Sequence, residues 1–193
     1  MGPFLEGKPR ELRRCRAPVS TPVDTGDSVD RVLAQWAQVR PDLDVSPMGV
    51  LGRLSRLTRV LERRLQIVFA RHGLQPGEFD VLATLRRADP QGAGMTAGAL
   101  TQAAMVTSGA ITNRIDRLVA KDLVTREVDP ANRRAVLIRL TPRGKDVLEQ
   151  ALLDHVANEQ ALLDTLTDDQ RHQLADLLRS LLHAHEASPP APR

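Results

Sequence analysis

A chain of 193 residues with 41% apolar and 26% charged side chains can bury a packed core in one domain, which excludes disorder throughout. With no Tyr, three Phe and one Trp, that core must be built from Leu, Val, Ile and Ala, a composition suited to packed helices. The net charge of +3 informs only when mapped along the chain: residues 107–143 hold eight Arg or Lys against four acids, and residues 144–193 four against nine. A local basic surplus of this kind points to a nucleic-acid partner.

Cys15 is the single cysteine and excludes an intramolecular disulfide. No apolar run approaches the ~20 residues of a membrane span. Lys8, Arg10, Arg13, Arg14 and Arg16 are followed by no hydrophobic segment and do not read as a secretory signal, so a cytoplasmic protein is expected.

Residues 1–26, rich in Pro and basic side chains, carry too little apolar surface to offset the entropy of ordering and are expected to form a disordered arm. A first helix is predicted from about Ser28, with Val29, Val32, Leu33 and Trp36 on one buried face, closed by Pro41. Pro47 opens a long, Arg-rich helix with Leu51, Leu54, Leu57, Leu61, Leu65 and Val68 as its seam and Gly73 as its stop. A third helix begins at Pro76 and carries Phe79, Leu82 and Leu85 to Asp89-Pro90. Together, residues 27–75 read as an N-terminal helical section ahead of a lobe spanning 76–143.

In that lobe Thr96 caps a short helix through Ala104, and Thr107 or Ser108 caps another running to about Lys121. Two short capped helices joined by a tight turn are a helix-turn-helix pattern. Leu123–Val128 and Ala135–Leu140 read as strands around the turn Asp129-Pro130-Ala131-Asn132, a hairpin with Arg133 and Arg134 near its tip. Thr141-Pro142 caps the next helix, and Thr167 with Gln170 forms a capping box for the last, whose Leu174, Leu177, Leu178, Leu181 and Leu182 make one stripe. Residues 144–187 are thus expected to be helices and 188–193 a loose tail. The fold class is mainly α with a small β-hairpin wing.

On a helical wheel of about 100° per residue, Ile111, Ile115 and Leu118 share one side, while Asn113, Asp116, Arg117 and Ala120 lie opposite. The opposite side is the one to enter a major groove, where Asn113 can read adenine and Arg117 guanine. Ser108 and Thr112 suit phosphate or single hydrogen bonds. Arg133 and Arg134 at the hairpin tip suit a narrow minor groove, and Arg143 suits a phosphate. Each arginine alone could as well be a solvated surface residue; their order along helix, turn, helix and hairpin favours duplex DNA.

The segment Thr96–Gly144, above all TSGAITNRIDRLVAKDLVTREVDPANRRAVLIRLTPRGK, resembles the MarR family of transcriptional regulators. The flanking helices extend the resemblance to roughly residues 28–185. It implies a winged helix-turn-helix lobe in a helical homodimer, with residues 27–75 serving dimerisation and the ligand pocket and residues 144–187 dimerisation, an operator that is a DNA palindrome, and repression relieved by a small molecule. Asn132 stands where the family often has Asp, which removes an ionic brace from the wing but leaves local hydrogen bonding open. Within the family the chain is most similar to the urate-responsive HucR/PecS-like subgroup, which has an additional N-terminal helix and four marker residues; Trp36, Asp80, Arg114 and Arg126 match them.

On the wheel Arg114 falls at about 300°, beside the apolar side, and Arg126 shares a strand face with Val124 and Val128. Both arginines are therefore expected to point inward, toward an anion. Trp36 can stack on a flat ring, and Asp80 can pair with an arginine until an anionic ligand displaces it. The ligand is expected to be urate or a related oxidised purine, or else a tricarboxylate such as citrate or aconitate. The plainer alternative makes Trp36 ordinary core and Asp80 a brace.

The five histidines show no metal spacing, and no phosphate loop or nucleophile motif is present, so no enzyme, metal or cofactor is expected. A winged helix used only for protein docking is the alternative from another class. Oxidation of Cys15 as a second regulatory input ranks low, since the chain offers it no resolving partner.

Overall fold

The structure is a computed structural model that describes residues 26–104 and 111–186. The expected arm before residue 26 with Cys15, the turn holding Thr107 and Ser108, and the tail from 187 lie outside the described residues. Seven helices and two strands follow in the order α1 (Ser28–Val39), α2 (Ser46–Arg71), α3 (Pro76–Ala88), α4 (Ala97–Ala103), α5 (Ile111–Ala120), β1 (Val124–Val128), β2 (Val136–Leu140), α6 (Pro142–Leu163) and α7 (Asp168–Glu186). The chain divides into two units, Met1–Ser55 and Arg56–Arg193.

In the first unit, Asp27 caps α1 through a capping box with Asp30, satisfying amide groups that the helix start leaves open. Arg53 of α2 reaches back to Asp27 and Asp30 at 2.9 and 2.6 Å. Gly52 lets the Val29 side chain approach to 3.4 Å of where a Cβ would stand. Of the four residues expected on the buried face of α1, Val29 is buried and Leu33 half-buried, whereas Val32 and Trp36 are exposed. A single chain covers only part of that stripe.

The second unit holds the main core. Val68 and Phe69 near the end of α2, Phe79, Val81, Leu82 and Leu85 of α3, Leu100 of α4, and Ile111, Ile115 and Leu118 of α5 pack together with Val124, Ile138 and Leu148. Aliphatic residues dominate it, as the composition requires. Phe69 stacks on Phe79 with ring centroids 4.2 Å apart, and His155 of α6 closes on the Phe79 edge at 5.1 Å.

The helix starts obey their sequence signals. The Thr96 hydroxyl accepts from the Ala99 amide at 3.2 Å, Thr141 accepts from Gly144 at 2.8 Å, and Thr167 and Gln170 bond reciprocally. Gly73, after α2, has φ +67, the left-handed conformation that ends helices. Strands β1 and β2 pair antiparallel, Val124 opposite Leu140 and Val128 opposite Val136. A bridge the sequence did not signal joins Met95 to Ile138 through two backbone bonds of 3.0 and 2.8 Å, tying the residue before the Thr96 cap of α4 to the sheet.

One close approach sets the start of α6 against the wing, and local hydrogen bonds shape the wing's turn. A Cβ on Gly144 would stand 1.9 Å from the Leu123 carbonyl oxygen, so only glycine lets α6 start this near β1. In the turn between the strands, the Asn132 side chain accepts from the Arg134 amide at 3.2 Å and Asp129 accepts from Ala131 at 2.9 Å. Asn132 thus bonds locally, as its side chain allows.

Candidate nucleic-acid interface and the charged cluster behind it

Helix α5 has two functionally different sides. Ile111, Ile115 and Leu118 are buried, whereas Thr112, Asn113, Asp116 and Arg117 are exposed. Thr112 and Asn113 therefore stand on the side expected to meet bases and phosphates. Arg133 and Arg134 are exposed at the wing and Arg143 in the first turn of α6, three cations on an open surface. Ser108 lies outside the described residues.

Arg117 differs from the expectation of an unengaged base reader. Its Nε donates to Glu78 Oε1 at 3.0 Å, and Glu78 is fully buried in α3. The other oxygen, Oε2, accepts from Lys121 Nζ at 2.7 Å and from the Gln75 amide at 2.8 Å. Burial pushes the Glu78 carboxyl up, but hydrogen bonds from Lys121, the Gln75 amide and Arg117 outweigh it and hold the group below its ordinary value. The spacing of Gln75 and Glu78 is legible as a helix-start signal. That the same carboxylate also holds the end of α5 is not.

Arg114, on the same helix, is half-buried where Arg117 is exposed. Its side chain lies over Gly77 in the first turn of α3, where a Cβ would come within 2.4 Å of Nε. Its Nη1 is buried and has no hydrogen-bond partner. Asp80 carries the complementary charge without a hydrogen bond to it: burial raises the Asp80 carboxyl above its ordinary value against the pull of Arg114, His155 and Arg87. His155 Nδ1 is likewise buried without a partner, while Nε2 lies 3.3 Å from Glu159. A desolvated carboxylate beside an unsatisfied guanidinium and an imidazole is an arrangement that an anion can enter, because the donors are already in place. His155 was not singled out from the sequence, since a histidine on a helix far along the chain shows no spacing that ties it to Asp80.

Arg126 corrects the expectation of a second inward arginine. On β1 only Val124 is buried; Arg126 and Val128 are exposed. Arg126 Nη2 pairs instead with Asp116 Oδ1 of α5 at 2.6 Å. The strand face continues past the edge of the core, so sharing a face with Val124 does not bring burial. The pair links wing and α5 at the surface. Trp36, in the first unit, is exposed on α1.

Helix-turn-helix, basic wing and exposed polar side of α5 together define a winged helix-turn-helix DNA-binding protein. The MarR family profile matches residues 72–135. The regulator PecS of Dickeya dadantii is 36% identical over 150 residues, 78% of this chain and 90% of the relative. MarR from E. coli in complex with operator DNA superposes with a TM-score of 0.61 at 29% identity, covering 76% of this chain and 97% of that one. Bordetella bronchiseptica BpsR, a protein whose DNA binding is regulated by 6-hydroxynicotinic acid, gives a TM-score of 0.61 at 26% identity, over 68% of this chain and 91% of its own. This chain belongs to the MarR family. It is a DNA-binding transcriptional regulator, and the family is not one of enzymes.

Proposed function

We propose that the protein is a homodimeric repressor that binds a DNA palindrome and is released when an anionic metabolite engages Arg114. The observation that carries the reading is the split character of α5. Thr112 and Asn113 are exposed for DNA, while Arg114, one residue on, buries an unpartnered Nη1 beside the desolvated Asp80. An anion bound to Arg114 satisfies that nitrogen and displaces the attraction of Asp80, so it favours a different placement of the helix that reads DNA. In a dimer the two recognition helices must match half-sites about 34–36 Å apart, so a small shift of each spoils both contacts.

Dimerisation is supported by α7, which buries none of its residues within one chain and exposes Leu177, Leu181 and Leu182. Leu152, Leu153 and Val156 of α6 are exposed as well. Apolar stripes of this extent mark a protein partner, and a second copy is the simplest one. A cytoplasmic setting accords with such a role, and among the described residues no helix is long and apolar enough to cross a membrane.

Urate is the first ligand to test, with citrate or aconitate as the alternative. Arg114 serves either anion; only the flat ring can stack on an aromatic side chain such as Trp36. The test is a duplex selected from a random library by the full chain, titrated with protein in the presence of urate or citrate. Loss of duplex affinity with urate and quenching of Trp36 fluorescence support the urate reading. Affinity unchanged by both anions at saturation refutes control through Arg114 by either class, and loss with citrate alone moves the assignment to tricarboxylates.

A further inference from the structure

Glu78 is the most deeply buried charge among the described residues, with no solvent exposure, and it has no part in the ligand cluster. Both of its oxygens are used: Oε1 holds Arg117 at 3.0 Å, and Oε2 holds Lys121 at 2.7 Å and the Gln75 amide at 2.8 Å. Lys121 adds a bond to the Gly73 carbonyl at 2.8 Å. A buried carboxylate that lost these donors would be an uncompensated charge, so the three bonds hold one another in place.

The two cations lie one helical turn apart at the C-terminal end of α5, Arg117 in its last turn and Lys121 just beyond it. Their side chains are 45% and 37% exposed. The carboxylate therefore holds Arg117 by its inner Nε, leaving the rest of an exposed guanidinium on the outer side of α5 with Asn113, and holds Lys121 by the ammonium itself. Arg117 is held through Nε, which leaves the terminal nitrogens of the fork as its free edge, the edge that pairs with guanine or straddles a phosphate.

We infer that Glu78 is a positioning residue for sequence recognition: from inside the lobe it aims Arg117 and holds back the Lys121 ammonium, and it limits the freedom of both to bind any phosphate within reach. The inference rests on α5 being the reading helix. Glu78 removes one unit of positive charge from the interface and trades general affinity for discrimination. A carboxylate kept only for packing stability has no such effect, since loss of stability lowers binding to every sequence alike.

The test compares wild type, Glu78→Gln, Glu78→Asp and Lys121→Gln as full chains. Each is titrated against the selected duplex and against a scrambled duplex of equal length, over a range of salt, with thermal unfolding measured in parallel. Glu78→Gln is expected to lower the preference for the selected duplex about tenfold, a typical effect of one lost base contact. It is also expected to bind the scrambled duplex more tightly, with a salt slope steeper by about one as a released cation finds a phosphate. Glu78→Asp keeps the charge but withdraws the carboxylate by one methylene; it should lose discrimination without gaining general affinity. Lys121→Gln, on a partly exposed position, should lose discrimination without gaining general affinity and serves if the Glu78 variants do not fold. Equal losses on both duplexes, or unchanged preference in all three variants, overturn the inference while a discriminating wild type leaves DNA binding intact. A wild type that prefers neither duplex overturns both.

Discussion

Replacing Gly77 by alanine tests the ligand cluster without touching a charge. A Cβ at that position would stand 2.4, 2.5 and 2.9 Å from Nε, Cζ and Nη2 of Arg114, all inside van der Waals contact. The guanidinium is the end of a flexible side chain and can swing away, so the backbone of α3 should hold, and alanine is favoured over glycine in a helix by up to ~1 kcal/mol. What is lost is the placement of Arg114. A hydrogen bond to a charged group contributes about 1.5–3 kcal/mol, and each 1.4 kcal/mol is about tenfold in affinity. The urate concentration for half-maximal release of the selected duplex should thus rise about ten- to a hundredfold in Gly77→Ala. Thermal unfolding and affinity for ligand-free duplex should stay near wild type. An unchanged half-maximal concentration, with the variant folded, refutes the placement of the anion at Arg114.

Asp80→Asn should raise the melting temperature at neutral pH. The folded carboxyl lies above its ordinary value because of burial, so its contribution to stability exists only while it is protonated and is lost as pH rises through the folded value. The gain should fade as pH falls through the folded value and be gone below about 3.8, the unfolded value, and a lower melting temperature at neutral pH contradicts the burial argument. Gly144→Ala drives a Cβ into the Leu123 carbonyl, where backbone must move, and should destabilise by about 1–3 kcal/mol or more in denaturant unfolding. Leu177→Glu combined with Leu181→Glu should shift sedimentation from dimer to monomer; an unchanged mass places the interface elsewhere. Arg133→Ala with Arg134→Ala should weaken binding to all duplexes and flatten the salt slope, whereas Asn113→Ala should relax sequence preference. Parallel losses for both sets contradict the division between wing and α5.

The helices were legible because their signals are local. Thr96, Thr141 and the Thr167–Gln170 pair declare helix starts within three residues, and the spacing of Ile111, Ile115 and Leu118 declares the inner side of α5. Arg114 was placed correctly in direction because its angle on the wheel is a property of the helix alone. The side chains whose surroundings escaped the sequence are those with a distant partner. Arg126 shares a face with Val124, but Asp116 on another element holds it at the surface. Arg117 lies on the outer side as the wheel predicts, yet its Nε belongs to Glu78, thirty-nine residues away in sequence. Periodicity reports which way a residue faces and carries no information about which charge will meet it there. The exposed Val32 and Trp36 of α1 show a related limit: periodicity marks an apolar stripe but does not say whether one chain covers it.

The most direct measurement of the central claim, that α5 serves both DNA and ligand, is salt-dependent binding of the purified full chain to its selected duplex, with and without urate or citrate. The claim predicts selection of a palindrome, affinity that falls steeply as salt rises, release by one of the two anions, and loss of that release in Arg114→Ala with the duplex still bound. Release by an anion that persists unchanged in Arg114→Ala would contradict it.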